Sequence, residues 1–117
     1  MDRVKAMLRA YIEFGLHNPN AYQLLFCSSL SSFSAAKLAE LKALGGQCYA
    51  LFLEAVGRMA AAGRLKAADV DAAAQALWTA AHGLVALRIT RPDFPWLEKE
   101  RLVATVIDGL FNGLAKP

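Results

Sequence analysis

The chain has 117 residues, enough for one domain with a small core. Its hydrophobic content of 56% exceeds the roughly 45–50% usual for soluble domains, which points to an internal pocket or a buried oligomer interface. The net charge of +3 forms no basic stripe and no basic helix with interleaved aromatics, which argues against a nucleic-acid-binding surface.

Hydrophobic spacing predicts a first helix over about residues 3–16. Val4, Met7, Leu8, Tyr11, Ile12 and Gly15 fall on one face, and Arg3, Lys5, Arg9 and Glu13 on the other. Asn18-Pro19 ends it and opens a second helix, with Asn18 as N-cap and Pro19 at the first helical position. That helix is expected to reach about Cys27. The serine-rich stretch 28–34 reads as a connector whose hydroxyls can cap the next helix. A third helical region spans about 35–62, with Gly45-Gly46 expected to kink or split it and Gly63 to close it. Asp69 can cap a fourth helix over about 70–90. Arg91-Pro92-Asp93-Phe94-Pro95-Trp96 is a proline-bounded turn, and a last helix comes after it over about 96–114. The fold class is therefore all-α, five to six helices in a single domain covering 1–117, with no strand pattern.

Cys27 and Cys48 fit no metal or redox spacing and are expected to be reduced thiols in the core. The opening residues Asp2, Arg3 and Lys5 lead into an amphipathic pattern and do not read as a signal peptide. A cytoplasmic location is expected. The apolar run Ala72–Leu87 is bounded by Asp71 and Arg88 and contains Gln75, Thr79 and His82, too short and too polar for a membrane span. Glu13 and His17 are four apart, but no further inward ligands accompany them, and His17 reads as a cation at a helix C-terminus. No metal, cofactor or catalytic group is expected.

The most distinctive stretch is Leu77-Trp78-Thr79-Ala80-Ala81-His82-Gly83-Leu84. Trp78 and His82 share a helix face. They can be ordinary core, or they can form the wall of a ligand cavity that needs an amphipathic aromatic and a titratable group. Gly83 in mid-helix costs about 1 kcal/mol relative to alanine, and another backbone is expected to approach it. Phe14, Tyr22, Phe26, Tyr49 and Phe52 supply further aromatics, with Met59 and Cys48 as softer candidates. Gly109 and Gly113, four apart on the last helix, make a flat strip where another helix can approach.

The order Trp78-Thr79-Ala80-Ala81-His82-Gly83 resembles the Trp-x-x-x-His-Gly signature of the C-terminal domain of TetR-type transcriptional regulators. Tyr11 to Phe26, with its Asn-Pro break, is similar to the family's helix–break–helix segment. Gly63-Arg64-Leu65 followed by Asp69-Val70-Asp71 is similar to its Gly-x-Leu turn. The resemblance implies a cavity for a small hydrophobic effector, with Phe14, Tyr22, Phe26, Phe52, Trp78 and His82 as candidate lining. It also implies a homodimer made by a four-helix bundle of the last two helices of each subunit. Its seam would involve Leu84, Leu87, Arg88, Val103, Val106, Ile107, Leu110 and Phe111. By the same resemblance the chain is a regulatory half of a repressor, not an enzyme. It should make no contact with DNA or membrane by itself, because the DNA-binding helix-turn-helix domain lies outside it.

Two other readings stay open. One is a helical protein-interaction module with a solid core and no ligand. The other is a small helical enzyme or cofactor carrier, which would hold a chromophore or metal when purified.

Overall fold

The computed structural model describes residues 2–22, 34–66 and 69–116, apart from the side chains of residues 21, 22, 38 and 41. Tyr22 as a site residue, Phe26, Cys27, the far end of the second helix and most of the serine-rich connector lie outside the described residues. The elements are α1 (Asp2–His17), α2 (Pro19–Tyr22), α3 (Ala35–Ala61), α4 (Val70–Thr90) and α5 (Lys99–Leu114). Among the described residues, four long helices and the Pro19–Tyr22 segment of α2 carry the fold. The only strand-like pairing among the described residues is a single antiparallel bridge between Leu65 and Ala115.

α1 buries Val4, Leu8, Ile12 and Gly15, spaced as one stripe of a helix requires. Asn18 closes it, because its backbone and side-chain N–H groups both donate to the Phe14 carbonyl, at 3.0 and 2.9 Å. His17 folds back onto the same end, with Nδ1 2.8 Å from the Glu13 carbonyl. Imidazole at a helix C-terminus meets orphan carbonyls and the negative end of the dipole.

α3 runs unbroken through Gly45-Gly46. The expected split does not occur, because the alanines and leucines around the pair are strong helix formers. Ser34 starts the helix, its hydroxyl accepting from the Lys37 N–H at 3.1 Å. Gly63 ends it in the left-handed region at φ 71. Gly63 N–H donates to Ala60 O and Arg64 N–H to Met59 O, both at 2.9 Å, the paired closure that favours glycine there. Among the described side chains of α3, the buried ones all lie in its second half, Phe52, Ala55, Val56 and Met59. Leu44, Cys48 and Leu51 are exposed. Cys48 is therefore not the core thiol expected, since its turn of α3 lies before the helix reaches the other elements.

α4 starts where expected. Asp69 accepts from the Ala72 N–H at 2.9 Å, and Ala73, Ala74, Leu77, Ala81, Leu84 and Val85 are buried. It packs against α1, α3 and α5. α5 begins three residues later than expected. The Trp96 indole donates to Arg91 O at 2.8 Å, its ring packs on Phe94, and Arg88 stacks over it while donating to Leu97 O at 3.1 Å. These contacts hold residues 91–98 as a folded elbow. α5 buries Val103, Ile107 and Phe111. Its far end is tied back to the α3–α4 connection, with Lys66 N–H donating to Leu114 O and Lys116 N–H to Arg64 O, both at 2.8 Å.

The resulting body is a slab with extents 45 × 37 × 17 Å. Its thin dimension is less than two helix diameters, so each helix has an inner face and exposed flanks. No described helix is long and apolar enough to cross a membrane.

Leu77 is almost fully buried at the centre of α4. Leu77→Ala is expected to lower unfolding free energy by about 2–5 kcal/mol, and Asp69→Ala by about 1 kcal/mol. Urea denaturation checks both; equal small effects would contradict this placement of the core.

Candidate functional site

A helix turns about 100° per residue, so α4 can be divided into three strips. The inner strip is the buried set around Leu77, Ala81 and Leu84. One flank carries Trp78 and His82. The other carries Ala76, Ala80, Gly83 and Leu87, spaced 4, 3, 4.

On the first flank, the Trp78 and His82 rings lie 6.0 Å apart between centroids. From α3, Tyr49 brings its ring to 6.0 Å from Trp78 at an interplanar angle of 60°, a tilted arrangement that aromatic quadrupoles favour. From α1, the Tyr11 hydroxyl lies 3.2 Å from His82 Nδ1. It donates when that nitrogen carries no proton. Three helices thus contribute to one continuous series, Tyr49–Trp78–His82–Tyr11. Trp78 remains 40% exposed, so the series borders accessible space. Burial pushes the His82 pKa below its usual value, because a charged imidazole loses hydration there. His82 is therefore neutral at pH 7.

The six expected lining residues are distributed unevenly. Trp78 and His82 stand together. Phe52 is buried at 8% exposure in the core of α3. Phe14 is 51% exposed on α1. The Tyr22 side chain and Phe26 lie outside the described residues. Tyr49 belongs to the aromatic pool recognised from the sequence, but Tyr11 does not. Its only sequence signal is a phenol on an apolar helix face, which needs a polar partner once packed.

The second flank of α4 is built of small residues. Within the chain nothing approaches Gly83 within 4 Å of where a Cβ would stand. The close backbone expected there is not supplied by this chain. α5 carries a strip with the same 4, 3, 4 spacing, Leu102, Val106, Gly109 and Gly113, in which Leu102 and Val106 are partly buried against the core and the two glycines are exposed. Gly109 and Gly113 likewise face open space. Of the eight residues expected at a seam, Leu84, Val103, Ile107 and Phe111 are buried inside the single chain. Leu87 is exposed, and Arg88, Val106 and Leu110 are partly so.

The arrangement is suited to binding. It offers flat apolar rings, two phenols and a neutral imidazole. Among the described residues no group of three His, Cys, Asp or Glu side chains is placed to hold a metal.

The depressed His82 pKa has a definite sign in stability. The unfolded chain binds the proton more readily, so the contribution of neutral His82 is complete above about pH 6.5 and is lost as pH falls below it. By NMR the His82 ring should titrate below its ordinary value. In urea titrations His82→Gln should flatten the loss of stability between about pH 7 and 5. An unchanged slope, or a ring that titrates above the ordinary value, would contradict the assignment.

A comparison with known families matches residues 4–110 to the family described as "Tetracyclin repressor-like, C-terminal domain". The match takes in α2, α3 and α4 whole, α1 from its first buried residue, and α5 as far as Leu110. No curated protein and no solved structure matches the chain significantly. With the all-helical fold and the Trp78–His82–Gly83 helix in place, the chain belongs to the tetracyclin repressor-like family, of which it is a C-terminal domain.

Proposed function

We propose that this is a regulatory domain that binds a small, largely apolar effector on the Trp78–His82 flank of α4 and forms a homodimer through the opposite flank and α5. The observation that carries the reading is that α4 presents two chemically different flanks on either side of its buried strip. Trp78 and His82 meet Tyr49 of α3 and Tyr11 of α1, while on the other side Ala76 and Leu87 are exposed and nothing stands within 4 Å of a Cβ built at Gly83.

Strips at 4, 3, 4 spacing that mix glycine and alanine with Leu87, Leu102 and Val106 suit helix–helix packing, the small residues admitting the larger ones of a facing helix. Covering them accounts for the high apolar content of a thin slab. The seam then consists of the α4 strip with Leu102, Val106, Gly109 and Gly113, flanked by Leu110 and Arg88. It differs from the resemblance-based set by omitting the four residues buried within the chain and by adding Ala76, Ala80, Gly83, Leu102, Gly109 and Gly113.

In the repressor to which such a domain belongs, effector binding changes the spacing of two DNA-binding heads carried by an N-terminal domain outside this chain. The effector acts by fitting one arrangement of α4 better than another. The setting is the cytoplasm, where such a regulator meets DNA and metabolites.

Sedimentation analysis tests the dimer. The wild-type domain should be dimeric at micromolar concentration. The double variant Leu87→Glu/Val106→Glu should be monomeric with unchanged helix content, since both positions keep surface in the single chain. A monomeric wild type, or a double variant that still dimerises, would contradict the proposal.

A further inference from the structure

The Tyr49 hydroxyl oxygen is shut off from solvent and has no hydrogen-bond partner among the described residues. Such an unmade bond is unusual and costly in a folded protein. Tyr11, the other phenol of the series, is already engaged with His82. Tyr49 stands where α3 passes from its exposed half into the core. Cys48, the residue before it, is exposed, and Phe52, three residues on, is buried. Its ring packs against Trp78, so the unpartnered hydroxyl belongs to a side chain of the same aromatic series, and a guest on that series has to displace what covers the oxygen to reach it.

We infer that the Tyr49 hydroxyl is the polar anchor of the effector site, and that the guest is an uncharged, flat, conjugated molecule with one carbonyl-type acceptor. This rests on the reading of the Trp78–His82 flank as an effector site. The Tyr49 and Trp78 rings select a flat apolar body. The phenol O–H selects an acceptor on that body. The absence of charge follows from the surroundings. No polar or charged residue is buried among the described residues, and His82 is neutral, so a buried carboxylate or ammonium on the guest would have no counter-charge.

The test compares three probes of one shape by calorimetry: 2-acetylnaphthalene, 2-ethylnaphthalene and 2-naphthoate. The ketone should bind most tightly. Tyr49→Phe should weaken the ketone by about tenfold and leave the hydrocarbon unchanged. Because this variant removes an unpartnered hydroxyl and keeps the ring, it should fold with equal or greater stability. Clearly lower stability would mean that the hydroxyl has a partner and would overturn the anchor. Equal binding of ketone and hydrocarbon, or no effect of Tyr49→Phe on the ketone, would also overturn it and leave the effector site standing. Tighter binding of naphthoate would overturn the uncharged class. The site reading itself fails, and this inference with it, if no probe binds at millimolar concentration or if Trp78→Ala leaves binding intact.

Discussion

Helix α4 has to satisfy three neighbours at once, and that requirement organises the rest of the molecule. Its inner strip of alanines and leucines locks against α1, α3 and α5. Alanine in this strip lets the neighbouring helices come close while filling the interior with little side-chain entropy to lose. Once that strip is fixed, the orientation of the remaining residues is set by helix geometry. Trp78 and His82 must lie toward α3 and α1. Gly83 and Leu87 must lie away from them. Neither flank can be reoriented without turning the helix, and the helix cannot turn without opening the core.

Under the proposed reading, this geometry gives a physical route from a bound molecule to a subunit interface. A guest that displaces Trp78 acts on a rigid rod whose other side carries the small-residue strip. Packed helices shift as units, because dense interiors do not deform continuously. The Tyr11–His82 contact reaches a third helix, since Tyr11 lies on α1. α1 in turn is held to α5 by Glu13 and Lys99 at 3.1 Å. The aromatic series therefore touches every long helix directly or through one partner.

Much of the fold was legible in the sequence because its punctuation is local. Asp69 and Gly63 act through hydrogen bonds to residues three to five positions away, so their meaning does not depend on tertiary context. The same holds for the apolar stripe of α1. The illegible features depend on which elements meet. Gly45-Gly46 reads as a break, yet propensity on both sides carries α3 through it. Cys48 reads as core by composition, but the helix has not yet reached its neighbours there. Val103, Ile107 and Phe111 read equally well as seam or interior, since periodicity identifies an apolar face without naming what covers it. The elbow before α5 depends on Trp96 reaching back to Arg91, a contact no pattern announces. For the site, the Trp78–His82 pairing comes from spacing alone. Its partners Tyr11 and Tyr49 required the packing of α1 and α3, and the choice of Tyr49 as the one unsatisfied hydroxyl among the described residues required the whole surroundings.

The division of α4 into two working flanks is best tested by NMR spectroscopy of the labelled domain under two separate perturbations. Titration with a flat aromatic ketone should shift the side-chain resonances of Trp78, His82 and Tyr49, with the ketone in excess and the protein concentration fixed. Dilution without ligand should instead shift the backbone amides of Gly83, Leu87 and Gly109 as subunits separate. If both perturbations move the same set of resonances on one flank, or if dilution leaves the glycine strip unchanged, the two-sided helix is the wrong description of this protein.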